Sequence, residues 1–146
     1  GPAGSVWIAG PNLGDVRVGA SVVPSGQWYS VPGRTLSFDK QADTGKLRIT
    51  YQDTLGTRGY SYNGCNWRIM LDGTTEVASF SDADLEENFG GFRWRMSNAA
   101  HIAWAFNVAA GTHTVEVQNR WNSAVANECL QGYNTTGNFL SVEEIP

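Results

Sequence analysis

The chain has 146 residues, enough for one domain with a real core and too few for two comfortable ones. Hydrophobic residues make up 41% and charged ones 16%, below the usual quarter, so Ser, Thr, Asn, Gln and Gly must finish the surface, and the 12% aromatic content argues against disorder. A net charge of −4 speaks against duplex nucleic acid as a partner, and no apolar run approaches the ~18 residues of a membrane span.

The first residues stand apart. Gly1-Pro2-Ala3 followed by Gly4-Ser5-Val6 places glycine at every third position, as in a collagen triplet, although a Gly-Pro start is also what a tag-cleavage scar looks like. Residues 1–5 are accordingly set apart, as a stalk remnant or a scar, and residues 6–146 are read as a single domain. The chain shows no signal peptide, as expected of a mature domain.

From there the dominant period is two. Val16-Arg17-Val18 and Val22-Val23 read as strands, and Leu47-Arg48-Ile49-Thr50-Tyr51 alternates cleanly between apolar and polar. Cys65, Trp67, Ile69 and Leu71 share one face before the turn signal Asp72-Gly73. Phe92, Trp94 and Met96 alternate with Arg93 and Arg95. Ile102, Trp104, Phe106 and Val108 are predicted to face the core, with Ala103 and Ala105 turned away from it, where small side chains would suit a subunit interface. Val115 and Val117 alternate with polar neighbours, and Phe139–Ile145 reads as a last strand. Only Ser81-Asp82-Ala83-Asp84, a capping-box-like start before Leu85, and Ser123–Cys129 hint at helical turns. Many short strands punctuated by 17 glycines predict an all-β, jelly-roll-like antiparallel sandwich.

Candidate chemistry is sparse. Cys65 and Cys129 are either a disulfide, which would contribute roughly 4 kcal/mol in an oxidising compartment, or two buried thiols; they lack the spacing of a zinc site. His101 and His113 have no nucleophile motif beside them, and His113 falls in phase with Val115 and Val117, as a packed histidine does. Asp82, Asp84, Glu86 and Glu87 offer carboxylates for calcium or glycoside hydrolysis, but without EF-hand spacing a solvated loop is the plainer reading. Asn134-Thr135-Thr136 is a glycosylation sequon if the source is eukaryotic. No catalytic residue, metal or cofactor is assigned.

The best binding candidate is basic and aromatic. Eight of the ten basic residues are Arg, whose forked donors suit carboxylate and sulfate-like groups. Arg93 and Arg95, two apart on a strand, share a face roughly 7 Å apart. Arg120-Trp121 ends another strand, and Arg58 lies near Tyr60 and Tyr62. Together Arg93, Arg95, Arg120, Arg58 and Trp121 form the predicted ligand surface. The alternative is that Arg93 and Arg95 merely pair with Glu86, Glu87 or Glu116 across the sheet.

Four phrases carry a family resemblance. Ala109-Ala110-Gly111-Thr112-His113-Thr114-Val115-Glu116-Val117-Gln118 resembles a strand-turn-strand phrase of C1q-like jelly-roll heads. Lys46–Asp53, Cys65-Asn66-Trp67-Arg68-Ile69 and Ser141–Pro146 are similar to the C-terminal head of collagen-triple-helix-repeat-containing proteins, over residues 34–146. The resemblance implies a secreted or cell-surface homotrimer, like bacterial collagen-like adhesins, whose heads bind glycan or extracellular-matrix ligands, with sulfated glycosaminoglycans as one class. Two other functions fit the same residues: a purely structural trimerisation head of a collagen-like or fibre protein, and a secreted glycan-processing enzyme.

Overall fold

A computed structural model describes residues 4–59, 64–81, 93–123 and 126–146, leaving aside the side chains of 93–96 and 127. Ten strands form two antiparallel sheets: β1 (Val6–Ala9), β2 (Val16–Gly19), β3 (Tyr29–Lys40), β4 (Lys46–Gly59), β5 (Cys65–Leu71), β6 (Thr75–Ser81), β7 (Arg93–Phe106), β8 (Gly111–Trp121), β9 (Ala126–Gln131) and β10 (Phe139–Ile145). The fold is an all-β sandwich of jelly-roll type. In the first sheet β4 pairs along its whole length with β7 on one side; on the other it pairs with β10 and then β9, which carry β1 and β2 on their far edges. The second sheet runs β3-β8-β5-β6.

The alternations explain the layers. Leu47, Ile49 and Tyr51 of β4, Cys65, Trp67 and Ile69 of β5, and Val115 and Val117 of β8 are fully buried between the sheets. Asp72 and Gly73 both take positive φ, and the Thr74 amide donates to the Leu71 carbonyl, making the tight hairpin turn between β5 and β6. Of the two cysteine alternatives the structure has the disulfide: Cys65 and Cys129 join β5 of one sheet to β9 of the other, across a sequence separation of 64. Closing a loop of that length restricts the unfolded chain by roughly 4 kcal/mol.

Three sequence expectations are corrected. The phase of β7 is inverted: Ala103 and Ala105 are buried, while Ile102, Trp104 and Phe106 are 60%, 40% and 62% exposed. The cause is the β4 register, which sets Ala105 opposite Leu47 and Ala103 opposite Ile49, so that the large β4 side chains fill the core and only small ones fit beside them. Val22-Val23 is turn, not strand, and its Val23 carbonyl accepts the Trp121 indole N–H at 2.9 Å. Residues 126–129 begin β9 instead of helix; one α-turn, from the Ala126 amide to the Asn122 carbonyl at 2.9 Å, precedes it. The other helical hint, at Asp82–Glu87, lies outside the described residues.

A buried polar cluster ties the sheets together. Arg34, 0% exposed, donates through Nε to Asp53 Oδ2 at 3.1 Å, with Nη2 at 3.0 Å from the same oxygen. Its remaining donors reach the carbonyls of Leu13 at 3.0 Å, Pro32 at 3.1 Å and Gly14 at 2.6 Å. Asp53 also accepts from the Tyr51 hydroxyl, from Asn138 Nδ2 at 3.0 Å and from the Thr54 amide at 2.9 Å. Burial foremost, and then the Asp53 charge, push the Tyr51 phenol well above its ordinary value, so it stays protonated and remains a donor. Gly132 is obligatory beside this cluster: it has φ 73°, and a Cβ there would strike the Gly14 carbonyl oxygen and come within 2.7 Å of Arg34 Nη2.

A second buried pair closes the β3–β4 turn. Glu144 accepts the amides of Gln41 and Ala42, each at 2.9 Å, while Lys40 donates to the carbonyls of Thr44, at 2.8 Å, and Ala42. Burial raises the Glu144 carboxyl, but the two amide donors and the Lys40 charge outweigh it and hold the group below its ordinary value.

Two outcomes are expected. Arg34→Met leaves the Asp53 carboxylate buried and uncompensated, so urea denaturation should show a loss of about 3–5 kcal/mol. A carboxyl lowered by folding contributes stability above its unfolded value, about 4.3, and loses it as pH falls through the lower folded value. Glu144→Gln should therefore flatten the fall in thermal midpoint through that acidic window.

Candidate functional site

The outer face of the second sheet carries the candidate site. On β8 the odd positions Val115, Val117, Asn119 and Trp121 point inward, which turns Glu116, Gln118 and Arg120 outward. On β5 the same alternation turns Asn66 and Arg68 outward. Register sets Arg120 opposite Asn66 and Gln118 opposite Arg68, so the two arginines are diagonal neighbours on adjacent strands. Trp28 precedes Tyr29, which pairs with Asn119, and so it reaches the same face from the β3 edge.

The three side chains meet. The Arg68 guanidinium carbon lies 4.1 Å from the centroid of the Trp28 ring, and that of Arg120 4.6 Å. Gln118 Oε1 accepts from Arg68 Nε at 2.7 Å, and Gln118 Nε2 donates in turn to Glu116 Oε1 at 3.0 Å. Glu76 stands 3.9 Å from Arg68 Nη1, the outer limit of an ion pair. Among the described residues Arg120 makes no ion pair. Ser79, Ser81 and Asn66 complete a cleft of about 530 Å³ with hydroxyls and an amide. A guanidinium stacked on an indole keeps its in-plane N–H donors available, and two around one ring make a local positive site with an aromatic floor. That arrangement suits sulfate or carboxylate groups on a ring-shaped ligand.

The five predicted ligand residues do not come together. Arg120 is in the cleft. Trp121 is in the core at 5% exposure, its indole bonded to Val23, because it is in phase with Val115 and Val117. Arg58 belongs to the other sheet and lies 3.6 Å from Glu128. Arg93 and Arg95 stand opposite Gly59 and Thr57 in the β4–β7 pairing, also in the other sheet, and their side chains fall outside the described residues, as do Tyr60 and Tyr62. Sequence reasoning missed Trp28 and Arg68. Arg68 carried a usable signal, since it alternates with the apolar Trp67 and Ile69; Trp28 follows Gly26-Gln27 with no period to place it.

No protein-family model matches the chain, and no curated protein matches it either. Among solved structures it is similar to the C-terminal CBM6 of LamC from Zobellia galactanivorans, with 13% identity, a TM-score of 0.36, and coverage of 89% of this chain and 99% of that one. It is also similar to the structure of infectious bursal disease virus Gx strain, with 12% identity and a TM-score of 0.29, over 99% of this chain and 43% of that one.

The remaining chemical candidates are engaged elsewhere. No group of three or more His, Cys, Asp or Glu able to hold a metal occurs among the described residues, and Asp82, Asp84, Glu86 and Glu87 lie outside them. The His101 ring stacks on Phe80 with centroids 3.7 Å apart. His113 has Nδ1 2.7 Å from Asp72 Oδ2 and Nε2 2.7 Å from the Ala109 carbonyl. Asn134 of the sequon is exposed, with φ 51°.

Partial burial lowers the His113 pKa, but the bonds to Asp72 and the Ala109 carbonyl outweigh it, and the net effect is upward. A histidine raised by folding stabilises most below its unfolded value, about 6.5, and the contribution disappears as pH rises through the higher folded value. Imidazole NMR titration should find His113 above the ordinary range in the wild type and closer to it in Asp72→Asn.

Proposed function

We propose that this domain is a non-catalytic binding head that captures anionic glycans of the sulfated glycosaminoglycan type in the cleft of Trp28, Arg68 and Arg120. One observation carries the reading: two guanidiniums converge on a single indole in an open cleft, and one of them has no carboxylate partner among the described residues. The ring offers a face for a sugar, the guanidiniums offer forks for sulfate or carboxylate, and Ser79, Ser81 and Asn66 suit hydroxyls. Local charge, not the net charge of −4, governs such a contact, because at physiological salt interactions beyond ~8 Å are screened.

The reading extends to an extracellular adhesin-like head of a homotrimeric collagen-like protein. Its supports are the glycine-at-every-third pattern of residues 1–5 and a cross-sheet disulfide, which persists in oxidising compartments.

Calorimetric titration with a heparin oligosaccharide, against neutral dextran as control, tests the cleft. Wild type should bind heparin in a salt-dependent manner. Trp28→Ala and Arg120→Ala should each weaken binding roughly tenfold or more, the effect of removing an anchor worth at least about 1.4 kcal/mol. Arg58→Ala should leave it unchanged. No binding by wild type would favour a purely structural head. Loss through Arg93→Ala with Arg95→Ala, and not through the cleft variants, would move the site to the other sheet.

A further inference from the structure

Six large apolar side chains are exposed among the described residues, and five of them lie on one surface, the outer face of the β1-β10-β4-β7 sheet. Cross-strand register arranges them in rows. Ile8 is followed across the sheet by Ser141, Thr50 and Ile102; Val6 by Glu143, Arg48 and Trp104; and Ile145 by Lys46 and Phe106. Val6 and Ile8 are 52% and 60% exposed, comparable with the β7 residues.

Three features separate this face from ordinary solvated surface. First, its exposed apolar area is on the order of 500 Å², within the range of the largest patches seen on monomers and close to the apolar share of one side of a standard interface of ~800 Å². Second, its charges are already answered within the face: Arg48 pairs with Glu143, and Lys46 Nζ lies 5.1 Å from the centroid of the Trp104 ring. Covering them strands no lone carboxylate. Third, β7 pairs only with β4 among the described residues, and from Ser97 to Phe106 it carries no Asp, Glu, Lys, Arg or Pro. Solvent-exposed edge strands are usually protected by such residues.

We infer that copies of this chain pack against one another through this face, burying Ile102, Trp104 and Phe106 of β7 with Val6 and Ile8 of β1. The occupant is a second copy because the exposed apolar area matches one side of a standard two-chain interface, while the charges of the face, already paired within it, offer an oppositely charged partner nothing to complement. The inference rests on the homo-oligomeric part of the proposed function and is independent of the glycan cleft. It reverses the interface role expected of Ala103 and Ala105, which are buried within the subunit.

Light scattering on the whole 146-residue chain is the test, at two concentrations, for wild type and for Ile102→Glu with Phe106→Glu. Wild type should have a mass of two or more times 15.9 kDa, and the double variant should fall to 15.9 kDa with an unchanged far-ultraviolet spectrum and unchanged binding of a heparin oligosaccharide too short to span two clefts. A monomeric wild type overturns both the interface and the homo-oligomer. An assembled wild type with an equally assembled variant overturns this face alone. Should the double variant fail to fold, Ser141→Cys decides. Its oxidation should cross-link copies through the centre of the face faster than Ser79→Cys on the opposite sheet, and equal rates overturn the inference.

Discussion

Arg34 is wholly buried, and the fold is organised around keeping its guanidinium satisfied. Desolvating such a group costs several kcal/mol, offset here by the Asp53 carboxylate and three backbone carbonyls. The partners come from β4, from the segment before β2 and from the start of β3, so this one side chain joins both sheets and an otherwise irregular N-terminal loop. Asn138 extends the cluster, donating to Asp53 while accepting the Leu13 amide at 2.9 Å. Gly132 then follows of necessity, since no side chain fits between the Gly14 carbonyl and the guanidinium.

Fixing β4 has consequences at a distance. Its inward residues, Leu47, Ile49, Tyr51 and Leu55, occupy the space between the sheets, and its length sets the register of β7 from Lys46–Phe106 to Gly59–Arg93. Ala103 and Ala105 are thereby the residues that fit inside. Ile102, Trp104 and Phe106 are left on the surface, not by a weak preference but because their inward places are filled.

That displacement shows where sequence reading runs out. Period two located β4, β5 and β8, because each alternates apolar with polar residues and its phase is unambiguous; β10 alternates less cleanly, with Phe139 and Ile145 on its outer face and Glu144 on its inner one. In β7 both phases are apolar, one large and one small, and the choice depends on a strand about fifty residues earlier. β3 is interrupted by Pro32-Gly33 with a register shift between Ser30 and Thr35, and β1 has only four residues, so neither offers a usable period. The cleft was legible in kind but not in membership. Arginine and tryptophan are its chemistry, yet phase sends Trp121 inward, and Arg120 and Arg68 reach Trp28 only through pairings of β8 with β5 and β3.

The two faces of the sandwich differ in a way that makes the two proposed contacts compatible. The cleft lies on the outer face of one sheet, polar and locally basic; the apolar rows lie on the outer face of the other, with their charges internally paired. Because these faces point away from each other, copies that meet through the apolar rows keep every cleft turned outward. Sulfated glycans repeat their charges along a chain, so several outward clefts on one assembly can engage a single polymer. The second contact is then effectively intramolecular, and avidity can exceed single-site affinity by ~10²–10⁴ without any new residue in the cleft. On the proposed function, the grip of the two-arginine cleft on a glycan polymer is then set in part by the opposite side of the molecule.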